Sequence, residues 1–210
     1  MKNQKLCWLA CIAVILFSCK QQHKVYSSAK QNFSTLPVKV LPYRGFDTGL
    51  IHFVKNEVIS FYNCNVTVLP ETDLPVNSFY APRQRYKADT LLVFQKNLAE
   101  NAAAVIGLTD KDISTRNGEM DDWGVFGLGY NPGKACVISI YRLKRASATM
   151  QQLKERLSKV ALHELGHNLG LPHCNKDITC LMNDAHGTIS QVDRERKWLC
   201  DNCKKLLSDQ

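Results

Sequence analysis

The sequence predicts an α/β (α+β) domain, a mixed and twisted sheet with covering helices. Three observations lead there. Apolar residues recur at helical period from Leu50 to Tyr62. Short β-branched or unbroken apolar runs at 38–41, 65–69 and 102–108 alternate with helical stretches. Once a leader and a polar tether are set aside, roughly 170 of the 210 residues remain, a length that builds one core. The chain divides into a signal peptide (1–18), a tether (19–35) and a single domain (36–207), with no internal repeat.

In chain order, Lys2 and Lys5 precede an apolar run from Leu6 to Phe17 that is too short to span a bilayer. A basic start, a short apolar core and a small residue read as a secretory signal. Residues 20–36 are polar, rich in Gln, Ser and Lys, and carry no apolar period, so they form a tether. Val38–Leu41 is a short strand closed by Pro42. Asp47 caps a helix through Leu50, Ile51, Val54, Val58, Ile59 and Tyr62. Asn65–Leu69 is a strand, and Pro70 and Pro75 break the chain. Arg83–Asn97 is expected as a second helix with Tyr86, Leu91, Leu92 and Phe94 facing inward. Ala102–Leu108 is a buried strand, after which Thr109-Asp110 begins a loop.

The most informative stretch is His163–His173, HELGHNLGLPH. On a helix spanning 149–169, His163 and His167 are four residues apart and leave one face, a clamp for one metal ion. Glu164 points about 100° round the helix, close enough to hold a water without being a ligand, which is the position of a general base. Gly170 ends the helix where a left-handed residue costs least, and the chain turns back so that His173 closes the third side. Three neutral imidazoles and a water describe a catalytic zinc. Four of the six histidines lie in the last 50 residues, which argues against a chance pair on a solvated face.

Cys174 follows His173 at once, and Cys180, Met182 and the closing pair Cys200 and Cys203 complete a pattern that resembles the archaemetzincin family. That family joins a metzincin zinc signature to four cysteines and a methionine, with seventeen residues before a terminal Cys-x-x-Cys. Met182 and Cys200 enclose seventeen here, whereas Cys174 and Cys180 enclose five residues where the family usually has four. Tyr80–Tyr86, Gly107–Asp112, Trp123–Tyr130, Asn131-Pro132-Gly133 and Val137–Leu143 extend the resemblance over 36–207. Adamalysins share HExGHNLGxxH and a nearby Cys-x-Met but lack the terminal cysteine pair.

The resemblance implies a metzincin-type mixed twisted sheet, an active-site helix at about 149–169, and a small C-terminal subdomain (174–207) stapled by a second, structural zinc on Cys174, Cys180, Cys200 and Cys203. A pair of disulfides is the alternative for these cysteines in an extracytoplasmic protein. It also implies that Met182 forms a Met-turn under the catalytic metal, against the alternative of plain core, and that Gly124–Gly129 is an antiparallel edge strand pairing with substrate main chain. Gly124, Val125, Phe126 and Gly127 then form the substrate rim, the glycines letting another backbone approach. An ordinary hairpin strand is the alternative. Leu16-Phe17-Ser18-Cys19 resembles a bacterial lipobox, implying a lipid-anchored Cys19 on an extracytoplasmic face of the cell envelope. Ordinary signal cleavage would instead release a secreted enzyme. Cys64 and Cys136 read as buried free thiols, with a disulfide between them as the alternative.

The formal charge of +8 becomes +6 when Lys2 and Lys5 leave with the signal, and both signs mix along Arg194, Glu195, Arg196 and Lys197. A nucleic-acid-binding finger is therefore not expected. The expectation is a monomeric zinc metallopeptidase with two zinc ions per chain, acting on a peptide or protein substrate. The rival is a non-catalytic, lipid-anchored zinc protein that binds peptides or a partner. It leaves Glu164 beside an open metal position without a use.

Overall fold

A computed structural model describes residues 36–145 and 147–209. The signal, the tether and the lipobox with Cys19 lie outside the described residues, as do Cys7 and Cys11. In order, the elements are β1 (Pro37–Pro42), α1 (Thr48–Tyr62), β2 (Asn65–Val68), β3 (Phe79–Tyr80), β4 (Arg85–Lys87), α2 (Ala88–Ala99), β5 (Ala104–Thr109), β6 (Ile113–Asn117), β7 (Met120–Val125), β8 (Gly127–Gly129), β9 (Ala135–Ser139), α3 (Met150–Asn168), α4 (Ile189–Arg194) and α5 (Asp201–Ser208). Among the described residues no helix is long and apolar enough to cross a membrane.

The principal sheet has the order β2-β1-β5-β9-β8. Its first four strands are parallel, and β8 runs antiparallel to β9 at the edge. Parallel strands need cover on both faces, which is why β5 and β9 are buried at every position. Alternation sorts their side chains. Val38, Val40, Ile106, Leu108, Cys136 and Ile138 pack with α1 and α3 on one face. Leu41, Val105, Ala135 and Val137 meet Leu91, Leu92 and Ala99 of α2 on the other.

The helix at 48–62 forms as expected: Asp47 Oδ1 accepts from Leu50 N at 2.8 Å, and Leu50, Ile51, Val54, Val58 and Tyr62 form its buried stripe, while Ile59 of the expected stripe is exposed. The active-site helix carries a reciprocal cap, in which Gln152 N donates to Thr149 Oγ1 and Thr149 N to Gln152 Oε1.

Four expectations need correction. The second helix begins at Ala88, not Arg83, because Arg85–Lys87 extends as β4. Tyr86 donates its N–H to Asp112 O at 2.9 Å and stacks on Phe79. The run Val137–Leu143 is a strand only to Ser139; residues 140–145 turn, held by Arg156 Nη1 on Leu143 O. A second sheet, β3-β4-β6-β7, appears where a loop was expected. Ion pairs tie it down: Arg85 and Arg142 both bond Asp112, and Arg85 also reaches Asp122 at 2.9 Å. Finally, Gly124–Gly129 is not one strand. Gly124 and Val125 end β7, Phe126 is the crossing residue, and Gly127 begins β8 in the other sheet.

The C-terminal segment adds α4 and α5 to the principal core. Leu181, Met182, Val192, Leu199 and Leu207 are buried in the same apolar cluster as α1 and α3. Apolar burial thus seats this segment on the domain's own core, and the four cysteines converge within the segment.

Candidate metal centres and cleft

His163 and His167 leave α3 one turn apart, and Gly170, at φ +85°, lets the chain reverse so that His173 faces both. Ring centroids are 4.6 Å apart for His163 and His167, 4.7 Å for His167 and His173, and 5.4 Å for His163 and His173. One nitrogen from each ring lies within 4.8 Å of the others. Two of the rings are fixed from behind. His163 Nδ1 donates to Leu181 O, and His167 Nδ1 to Leu171 O, both at 2.7 Å. Those bonds set the tautomer and leave each Nε2 lone pair to face the common centre. Asn131 Nδ2 also donates to Leu171 O. Asp184 Oδ2 stands 3.6 Å from His173 Nδ1 and supports the third ring, which is half exposed at the cleft mouth.

Burial, with His167 second, drives His163 down to about 3, and burial likewise lowers His167. Both rings are neutral at physiological pH, the form in which imidazole binds a metal.

Glu164 is buried beside this triad, and burial, followed by the charge of Asp184, pushes its carboxyl up to about 8. A bound dication acts in the opposite sense. The strand above is built around it. A Cβ on Gly127 would lie 2.8 Å from Glu164 Cγ and 2.9 Å from Val160 Cγ1, and one on Gly129 would lie 2.9 Å from Glu164 O. The glycines of β8 thus make room for the protein's own helix. Gly166 does the same beneath, where a Cβ would fall 2.6 Å from Met182 Sδ and 3.1 Å from the Tyr62 hydroxyl. Met182 is fully buried against Gly166.

Cys174, Cys180, Cys200 and Cys203 converge within 4.8 Å and are free thiols, as are Cys64 and Cys136. Cys174 and Cys200 Sγ are 3.6 Å apart, Cys180 and Cys203 Sγ 3.8 Å. A disulfide needs about 2.05 Å. Four thiolates at about 2.3 Å from a zinc ion define a tetrahedron with edges of about 3.8 Å. The spacing fits the metal and overturns the disulfide alternative. Lys176 N and Cys200 N donate to Cys174 and Cys180 Sγ, each at 3.4 Å, favouring thiolates. The hydrogen bond from Cys203 lowers the Cys180 thiol, and the same contact raises Cys203. In the longer 175–179 loop Asp177 Oδ1 accepts from Thr179 N at 2.7 Å, and the four sulfurs still converge.

A cleft of about 650 Å³ lies over the histidines. Val125, Phe126 and Gly127 of the expected rim line it; Gly124 does not, since a side chain there would overlap the Arg142 guanidinium. The hairpin β6–β7 forms its roof, and Val160, Asp184, Val192 and Glu195 continue its wall. Sequence reasoning singled out none of these four. Only Asp184, two residues past Met182, had a positional hint.

A family model described as Peptidase family M54 matches residues 49–209. The archaemetzincin of Halobacterium salinarum is 33% identical over 177 residues, covering 81% of this chain and 98% of that protein. The archaemetzincin of Archaeoglobus fulgidus is 29% identical over 157 residues, covering 75% and 90%. Among solved structures, archaemetzincin from Methanopyrus kandleri matches with TM-score 0.71 at 26% identity, covering 83% of this chain and 94% of that one. The Archaeoglobus fulgidus protein complexed with malonate matches with TM-score 0.69 at 28% identity, covering 81% and 99%.

Burial also pushes Glu195 up to about 8, opposed by a hydrogen bond from Gln191 and by the charge of Lys159, and reinforced by Cys180 and Asp184. An acid whose folded pKa is raised stabilises fully below its unfolded value, about 4.5, and loses that stability as pH rises through the folded value. Between pH 5 and 8 the wild-type fold should therefore lose about 1–3 kcal/mol relative to Glu195→Gln. Urea midpoints of the two proteins across that range measure it.

Proposed function

The chain belongs to peptidase family M54, the archaemetzincins, and is a zinc metallopeptidase; from that premise we propose that His163, His167 and His173 bind its catalytic zinc, that Glu164 is the general base, and that Cys174, Cys180, Cys200 and Cys203 bind a second, structural zinc. The observation that carries this reading is the pairing of three imidazoles, two held by backbone carbonyls, with a buried carboxyl on the same helical turn. Sulfur spacing at the edge length of a zinc tetrahedron supports the second site.

A zinc ion held by the histidines supplies Lewis-acid polarisation of the scissile carbonyl and acidifies a water from about 16 to about 7. The residues do the rest. Glu164 takes the water's proton on its carboxylate and passes it to the leaving amine. Burial excludes bulk water from that exchange. Among the described residues the outer edge of β8 has no strand partner, which supports main-chain pairing of Gly127–Gly129 with an extended substrate. Leu181 and Leu171 carbonyls keep two imidazoles from rotating as charge develops.

We also propose that the enzyme works from the bacterial envelope, anchored through lipidated Cys19; the basic start, the short apolar run and Leu16-Phe17-Ser18-Cys19 support this. Cys19→Ala should move the protein from the membrane to the soluble fraction in a fractionated host, whereas unchanged membrane partition would contradict the anchor.

Glu164→Ala should keep two zinc equivalents by elemental analysis while peptide turnover drops about 10²- to 10⁴-fold. A variant that still cleaves a peptide library at the wild-type rate would remove Glu164 from the mechanism.

A further inference from the structure

Val160 stands one turn before Glu164 on α3, on the same face. Across the cleft, Val192 lies on α4 and Glu195 just beyond that helix, and all three residues line the cavity over the histidines. The two valines give this part of the wall an apolar surface. Glu195 interrupts it. Its side chain is only 5% exposed, and Oε1 has no hydrogen-bond partner.

The surrounding groups leave that oxygen unsatisfied. Gln191 Nε2 donates to Ile178 O at 3.0 Å and to Asn183 Oδ1 at 2.9 Å. Lys159 is the nearest cation, but its Nζ donates to Val192 O at 3.1 Å and Asp193 O at 3.2 Å and stands 3.7 Å from Glu155. Asp184 and Cys180 add negative charge nearby. Arg116, on the roof, is exposed and stands 3.4 Å from Asp121. A buried polar atom without a partner costs about 1–3 kcal/mol, so the arrangement gains most from a ligand that supplies a donor. The terminal torsion of a glutamate is broad, and a turn about it presents either oxygen to the cleft. A ligand that fits apolar walls closed by an acid has a methylene stem and a cationic tip, and a cation seated there favours the carboxylate over the protonated acid that burial alone favours.

Chemistry fixes which substrate residue that is. Glu164 delivers its proton to the leaving nitrogen, so the residue carrying that nitrogen lies nearest Glu164, and Val160, one turn earlier on α3 and lining the same cleft, is within reach of its side chain. We propose that Val160, Val192 and Glu195 form a specificity pocket for lysine or arginine immediately on the amine side of the scissile bond, with Glu195 accepting from the cation. This rests on the peptidase reading above.

The test uses the zinc-loaded chain and peptides identical except at that residue: lysine, arginine, norleucine or glutamate. The lysine and arginine peptides should show kcat/KM about 10- to 100-fold above norleucine, the range of a charge-assisted hydrogen bond. Glu195→Gln, which keeps shape and removes charge, should reduce that ratio to within about threefold. Norleucine cleaved as well as lysine by the wild type, or an unchanged ratio in Glu195→Gln, overturns the pocket. Should no peptide be cleaved at all, the peptidase reading falls. Calorimetric binding of the same peptides to zinc-loaded Glu164→Ala then decides the pocket by itself: tighter binding of lysine sustains it, and equal affinity ends it.

Discussion

Cys174 N donates to Met182 O at 2.7 Å, and that bond joins the two short segments on which both ligand clusters depend. One segment is His173-Cys174, where a ligand of each cluster sits on consecutive residues. The other is Cys180-Leu181-Met182, which contributes a thiol, the carbonyl that orients His163, and the methionine buried against Gly166. α3 is preformed by its cap and core packing, but it fixes only His163, Glu164 and His167. The remainder of the site comes from a segment with little regular structure, and four converging thiols set that segment's position. Apolar burial contributes too, through Leu181, Val192, Leu199 and Leu207, yet burial is non-directional and does not fix a ring to a fraction of an ångström. A zinc ion held by the four sulfurs would do so, because a tetrahedron has a required edge.

The other side of the site depends on close backbone approach. β8 lies so near α3 that only glycine fits at 127 and 129, and this proximity buries Glu164 and raises its carboxyl. One geometric condition thus puts the base in a dry setting and leaves the free edge of β8 above it. Two acids in one cleft are raised by burial, Glu164 beside the histidines and Glu195 farther along the wall. On the proposed reading their different neighbours suit them to different work.

Much of this was legible because it is local. The histidine spacing, Gly170 and the Asp47 cap each depend on residues within one or two helical turns, and local patterns report such features directly. The cysteine spacing was readable as a metal set, though choosing between metal and disulfides needed sulfur separations. The second sheet was not legible. Its strands read ISTRN and MDDWGV, without an apolar alternation, and its stability comes from Arg85 and Arg142 on Asp112, more than 25 residues away in sequence. The same network explains the misplaced start of α2: Arg83–Lys87 has acceptable helix propensity, and a long-range strand pairing overrides it. Glu195 was invisible as a site residue because its meaning lies in a missing partner. In sequence it is one charge in a mixed run.

The central claim is that the sulfur cluster positions the histidine cluster. Cys203 lies on α5 and adjoins no residue of the histidine site in sequence, so Cys203→Ser weakens the first cluster without touching the second. The direct measurement is the zinc affinity of the histidine site in that variant, by competition with a chromogenic chelator, with circular dichroism confirming that the helices persist. A Kd at least tenfold weaker than in the parent is the expected result. A folded variant whose histidine site binds zinc as tightly as the parent would contradict the account.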